Sequence, residues 1–129
     1  MDELKRKDLL YPELSFQIMG CAFEVHNALG FGFKENIYQK ALALAFKEKN
    51  ISHKEQVCFA ITFKEQVLAE RRFDFVFEDK VVVEIKRDDK YSKANIDQTI
   101  EYLKTSNLKL AILINFGKES VVYKRLINP

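Results

Sequence analysis

The apolar positions of this chain change period along its length, and each change marks an element. Leu14, Ile18, Cys21, Ala22, Val25 and Leu29 recur at helical spacing and form one stripe. Pro12 suits the first turn of that helix, and Gly30 ends it in the tight connection Gly30-Phe31-Gly32. A second helix is expected from about Phe33 to Lys49, with Phe33, Ile37, Ala41, Leu44 and Ala45 on its buried side. From Glu55 the period becomes two. Val57, Phe59, Ile61 and Phe63 alternate with Cys58, Ala60 and Thr62, which predicts a first strand. Lys64-Glu65-Gln66 turns the chain into a second strand, from about Val67 to Phe77, and a third runs from Lys80 to Lys86.

Ser92 is placed to cap a third helix that extends to about Thr105, with Ile96, Ile100 and Leu103 as its stripe. Leu108 to Phe116 is a nearly unbroken apolar run, as expected of a strand covered on both faces. Ser120 to Ile127 alternates again and gives a last strand. A strand, a helix and a second buried strand make a right-handed crossover unit. The order α-α-β-β-β-α-β-β predicts an α/β domain: a mixed central sheet of about five strands flanked by helices. Residues 1–10 are charged and read as a frayed lead-in.

The chemistry concentrates between Arg72 and Tyr102. Glu78-Asp79-Lys80 reads as a three-residue hairpin loop, with Asp79 suited to a left-handed backbone. Phe77 then pairs with Val81, Asp74 faces Glu84, and Arg72 faces Lys86. On this register Phe73, Phe75 and Phe77 share a core face with Val81, Val83 and Ile85. The other face carries Arg72, Asp74, Val76, Val82, Glu84 and Lys86. Two carboxylates directly opposite each other, with Cβ atoms roughly 5 Å apart, repel. One solution is a solvated face with diagonal salt bridges, Asp74 to Lys86 and Arg72 to Glu84. The other is a cation between the carboxylates, and Mg²⁺ takes one or two of them while keeping positions for water and phosphate oxygens.

Composition narrows the setting. The 129 residues fit one domain, and 47% hydrophobic with 31% charged residues is the balance of a soluble globular chain. A net charge of +2 gives no global attraction for nucleic acid, so any such contact needs a local basic patch. Cys21 and Cys58 lie in apolar segments and read as small core residues. There is no apolar run long enough to span a membrane and no export-type segment behind the N-terminus, which makes the cytoplasm the expected location.

Several polar residues have ordinary explanations when taken singly. His26, near the end of the first helix, reads as a C-terminal cation or a satisfied packing residue ahead of a ligand. Glu35, in the first turn of the second helix, is favoured by the helix dipole, and Tyr38 is its neighbour one turn on. Gln98 and Tyr102 lie one turn apart at the edge of the third helix's apolar stripe, where polar edge packing would suffice.

Together these residues resemble the PD-(D/E)XK nuclease superfamily, with its restriction-endonuclease-like fold. The nearest likeness is the small bacterial family named for its GxxExxY motif, here Gly32-Phe33-Lys34-Glu35-Asn36-Ile37-Tyr38. Val25-His26-Asn27-Ala28-Leu29-Gly30 is similar to that family's lead-in. Asp74 followed by Glu84-Ile85-Lys86 matches the nuclease core, and Gln98 and Tyr102 have the spacing of RecB-like nucleases. Leu113-Ile114-Asn115-Phe116-Gly117 resembles the penultimate strand. Phe73, Arg87-Asp88 and Asn95 depart from the family's usual residues without removing a core ligand.

The resemblance implies Mg²⁺- or Mn²⁺-dependent phosphodiester hydrolysis of nucleic acid, DNA ahead of RNA. Asp74, Glu84 and the main-chain carbonyl of Ile85 would hold the metal, with Glu35 as an additional ligand. Lys86 would orient water or stabilise developing charge, Gln98 would bond near Lys86 or a phosphate, and Tyr102 would brace it. Arg72, Arg87, Lys90 and Lys93 form a basic rim suited to a phosphate backbone. Two alternatives stand beside this reading. One is a catalytically silent module that grips nucleic acid or a protein partner. The other is an interaction protein that dimerises through an exposed terminal strand, near Ser120–Ile127 or Val57–Phe63.

Overall fold

The computed structural model describes residues 10–88 and 92–128; the charged lead-in before Leu10 and the rim residue Lys90 lie outside them. Helices α1 (Pro12–Leu29) and α2 (Glu35–Glu48) are followed by strands β1 (Lys54–Phe63), β2 (Gln66–Phe77) and β3 (Val81–Lys86). Helix α3 (Lys93–Ser106) then leads to β4 (Leu110–Phe116) and β5 (Val121–Ile127). The five strands form one sheet in the order β1-β2-β3-β4-β5. All neighbours are antiparallel except β3 and β4, which are joined through α3 and run parallel. Among the described residues no helix is long and apolar enough to cross a membrane.

Both faces of the sheet are covered, and this is why β4 is buried at every position. On one face α1 and α2 pack Ile18, Ala22, Tyr38, Leu42 and Phe46 against Phe75, Phe77, Val83, Ile85, Ile112 and Ile114. On the other, Tyr102 and Leu103 of α3 pack against Phe73, Val76, Val82, Ala111 and Leu126. The second face is therefore a core, not the solvated surface with diagonal salt bridges that a charged strand face allows. Neither Asp74–Lys86 nor Arg72–Glu84 is among the ion pairs of the described residues.

The expected hairpin register holds at Phe77↔Val81, Val76↔Val82 and Phe75↔Val83. It ends there, so Arg72 does not face Lys86. Arg72 instead pairs with Cys58 of β1. Phe73 is also displaced from its expected face: it joins the α3 core while Phe75 joins the other. The break falls at Asp74 and its opposite number Gln56, neither of which enters the β1–β2 pairing. Gln56 has φ 51, a left-handed backbone that bends β1 at that point. Strict alternation fails where a strand bends, and here the bend lies beside Asp74.

Two further expectations are corrected. The buried side of α2 is Tyr38, Leu42, Ala45 and Phe46, and Phe33, Ile37 and Leu44 are exposed. The helix is rotated by aromatic contacts. Tyr38 stacks on Phe116 at 4.4 Å, and Phe46 meets Phe75 and Phe77 edge-on at 5.1 and 4.9 Å. Cys58 is exposed, because β1 is an edge strand and the Cys58 side chain leaves the α3 face.

Candidate active site

β2 and β3 part beyond the Phe75↔Val83 pair, and two carboxylates fill the gap with reciprocal bonds. The main-chain N–H of Asp74 donates to Glu84 Oε1 at 2.9 Å. The main-chain N–H of Ile85 donates to Asp74 Oδ2 at 2.8 Å. Each acid thus replaces a backbone acceptor that the ladder would have supplied, and each is fixed by the strand opposite. In extended backbone a residue's N–H and C=O point to the same side, so the Ile85 carbonyl faces the same gap as its N–H.

The electrostatics follow from burial. Glu84 is only 4% exposed, and its carboxyl is pushed up to about 9, first by burial and then by the Asp74 carboxylate. Burial also raises Asp74, while the Ile85 N–H and the Lys86 ammonium pull it down. Lys86 acts on Asp74, Glu84 and Glu35 alike, so its positive end is the common neighbour of all three acids. A buried acid raised further by a half-buried carboxylate beside it is left unbalanced by one ammonium, and a divalent cation is the species that would balance the pair.

The first turn of α2 supplies Glu35. Gly32 precedes it with φ 111, a conformation that L side chains rarely adopt. The Tyr38 hydroxyl donates to the Gly30 carbonyl, and its ring lies between Phe116 and the edge of Phe33. The Gly32–Tyr38 motif is therefore a device that turns the chain and pins the start of α2 to the end of β4. Glu35 itself is exposed, and its carboxyl is raised by partial burial, with Lys86 opposing and Asp74 and Asp88 adding to the rise. His26 Nε2 lies 2.9 Å from the Gly117 carbonyl and its ring stacks on Phe116, which anchors the same corner.

On the opposite side, Tyr102 packs against Phe73 with ring centroids 4.9 Å apart. Burial and the Glu84 charge raise its hydroxyl. Gln98, one turn earlier, is exposed, not held at the helix–sheet edge. It makes no hydrogen bond to Lys86 among the described residues. Both line an open cleft of about 610 Å³ together with Arg72, Arg71 and Glu101. Arg71 grips Glu101 from both Nε and Nη2 at 2.7 Å, tying β2 to α3 along the cleft. Of the expected basic rim, Arg72 lines the cleft. The Arg87 Nε donates to the Phe33 carbonyl at 2.8 Å, and Lys93 points into solvent near Asp97.

Two residues of the site were not singled out from the sequence. Gln39 donates from α2 to the main-chain carbonyl of Asp74 at 3.1 Å and to Glu55 at 3.3 Å. Asn115 accepts from the Asp88 N–H at 2.9 Å and donates to the Asp88 carbonyl at 2.8 Å. Asn115 carried a signal: a fully buried polar side chain in an apolar strand requires partners. Nothing in the sequence distinguishes Gln39 from other helix-surface residues.

The sheet thus opens between β2 and β3 around an acid pair, with a lysine two residues beyond the second acid. The chain belongs to the PD-(D/E)XK nuclease superfamily, whose family model matches residues 12–126. The crystal structure of SSO0001 is similar, with TM-score 0.55 and 17% identity over 92% of this chain. The chain spans 58% of that protein's length. An alkaline exonuclease (LHK-Exo) from Laribacter hongkongensis superposes over 98% of this chain and 73% of its own, at TM-score 0.49 and 9% identity. No curated protein matches the sequence.

PD-(D/E)XK nucleases typically use divalent metals. Among the described residues no group of three or more His, Cys, Asp or Glu side chains forms a ready-made metal cluster. The pair Asp74 and Glu84 is nonetheless a fitting donor set, since hard oxygens from one or two carboxylates are what Mg²⁺ takes from a protein. Each carboxylate is already oriented by one backbone N–H.

Proposed function

We propose that this protein is a divalent-cation-dependent nuclease, of the GxxExxY group, that hydrolyses phosphodiester bonds in nucleic acid in the cytoplasm, DNA in preference to RNA. The observation that carries this reading is the reciprocal bonding of Asp74 and Glu84 in the gap between β2 and β3, with Lys86 at its mouth. Asp74, Glu84 and the Ile85 carbonyl would hold Mg²⁺ or Mn²⁺, with Glu35 contributing through water. The ion would supply Lewis-acid polarisation of the phosphate and activation of the attacking water.

Lys86 orients that water and offsets negative charge as it develops on the phosphate, a task suited to an ammonium adjacent to three acids. Tyr102, wedged on Phe73, limits the volume beside Glu84 and keeps the acid out of bulk water. Gln98, free at the cleft wall, is available to bond a phosphate oxygen. Arg72 lines the same cleft, and Arg87 and Lys93 would add to a basic rim for the backbone, the role the sequence also suggests for Lys90.

The test is cleavage of labelled DNA and RNA in Mg²⁺, Mn²⁺ or chelator by equally pure wild type and Lys86→Ala. Metal-dependent cutting that Lys86→Ala lowers on the order of a hundred- to ten-thousand-fold supports the reading. A wild type that binds nucleic acid but cuts in no metal is the silent module, and equal cutting by both proteins places the activity elsewhere.

A further inference from the structure

The two edges of the sheet are not alike. β5 carries Lys124 and Arg125 in its centre, and Arg125 Nη2 bonds the Leu10 carbonyl, so the start of the described chain lies against this strand. Charges of this kind are how natural edge strands resist pairing with other chains. β1 has no such guard. Val57-Cys58-Phe59-Ala60-Ile61-Thr62-Phe63 contains no charged residue and no proline, and it is rich in β-branched and aromatic side chains. Among the described residues no strand lies beyond it. Its outer half also leaves apolar surface open: Phe63 is 61% exposed, and Val67 and Leu68 on the adjoining part of β2 are 60% and 65% exposed. An uncovered two-stranded ribbon is at best marginally stable in water.

We infer that β1 pairs antiparallel with β1 of a second copy of this chain, across a two-fold axis at Ala60, to make one continuous ten-stranded sheet. The sequence is self-complementary about that point. The pairing sets Phe59 opposite Ile61, Val57 opposite Phe63 and Cys58 opposite Thr62 of the second copy, each in both directions, as a closed two-fold interface requires. Val57, Phe59 and Ile61 are the half-buried residues of β1, and Val57 and Phe59 pack against the α3 core, while Cys58, Ala60 and Thr62 are exposed. The aromatic and β-branched pairs thus all fall on one face, where they extend the Phe59–Phe73 stack of the α3 core from one copy to the next. The bend at Gln56 and the charged turn at Lys64-Glu65 bound the ladder, so it cannot slide far in either direction. Lys54 to Gln56, beside Asp74, stay outside the ladder.

Light scattering on the eluting protein tests this. Wild type is expected at twice the chain mass. Ala60→Lys, a change at an exposed position that puts two ammonium groups opposite each other on the axis, is expected at the chain mass with an unchanged circular dichroism spectrum. Val122→Lys on β5 is expected to remain a dimer. Ala60→Cys in a Cys58→Ser background should form one intermolecular disulfide on oxidation, since cross-strand partners have the separation a disulfide needs. A monomeric wild type, a dimer that survives Ala60→Lys, or Ala60→Cys that gives no covalent dimer would overturn the inference.

Discussion

Asn115, fully buried in β4, holds both main-chain groups of Asp88, two residues after Lys86. Lys86 and Asn115 are also register partners across β3 and β4. The side chain therefore closes the end of β3 with the two bonds that a continued ladder would have made. Gly117 completes this corner, because a Cβ there would stand 2.9 Å from the Ser120 carbonyl.

Asn115→Leu keeps the volume but removes both bonds and leaves the Asp88 N–H and C=O without their partner. The expected loss is about 1–3 kcal/mol in urea unfolding, with activity falling further than stability because Lys86 loses its fixed approach. Wild-type stability in Asn115→Leu would show that Asp88 is held by other groups.

Glu84 predicts an unusual pH dependence for the metal-free protein. Its folded carboxyl titrates at about 9, against 4.5 for the free group, so the folded state binds the extra proton between those values. Stability is then fully present below the lower value and declines as pH rises towards the upper one, by at most about 1.4 kcal/mol per pH unit from this group. Raised Asp74 adds to the slope in the same direction. Glu84→Gln should flatten the thermal-unfolding profile above neutral pH, and added Mn²⁺ should do the same for wild type by favouring the ionised acids. A wild-type profile that is flat from neutral to alkaline pH contradicts this account.

Tyr38→Phe isolates the hydroxyl of the Gly32–Tyr38 motif. The stack on Phe116 remains and the bond to the Gly30 carbonyl goes, for an expected cost of about 1 kcal/mol. Tyr38→Ala removes the ring from the core as well, and about 3–5 kcal/mol is expected by analogy with other buried aromatics. Chemical denaturation of the pair separates the two contributions.

Gln39→Met preserves helix propensity and length but abolishes donation to the Asp74 carbonyl. We expect unfolding within about 1 kcal/mol of wild type and a rise in the Mn²⁺ concentration needed for activity, because the backbone that carries Asp74 is no longer held from α2. An unaltered metal dependence would remove Gln39 from the site.

Much of this arrangement was legible in the chain. The loop Glu78-Asp79-Lys80 and the pairing of Phe77 with Val81 follow from two apolar runs about a polar break, and Glu78 and Asp79 both adopt the left-handed backbone such a loop needs. From that register alone Asp74 and Glu84 come together. What local pattern could not convey is how the register ends. Phe73 changes face because β1 bends at Gln56, a residue distant in sequence, and alternation within β2 holds no trace of it. The rotation of α2 has the same character. Leu44 looks as apolar as Leu42, and only the positions of Phe75, Phe77 and Phe116 decide which is buried. Gln98 shares a helix strip with Tyr102, yet the cleft beside β2 leaves it in solvent.

The claim on which all of this rests is that Asp74 and Glu84 together hold a divalent cation. Mn²⁺ titration followed by electron paramagnetic resonance measures it without reference to any substrate. Wild type should bind Mn²⁺ more tightly as pH rises towards 9, and Asp74→Ala and Glu84→Ala should each lose that site while staying folded. Equal Mn²⁺ binding by all three proteins would contradict the account, since the ion would then be held by other residues.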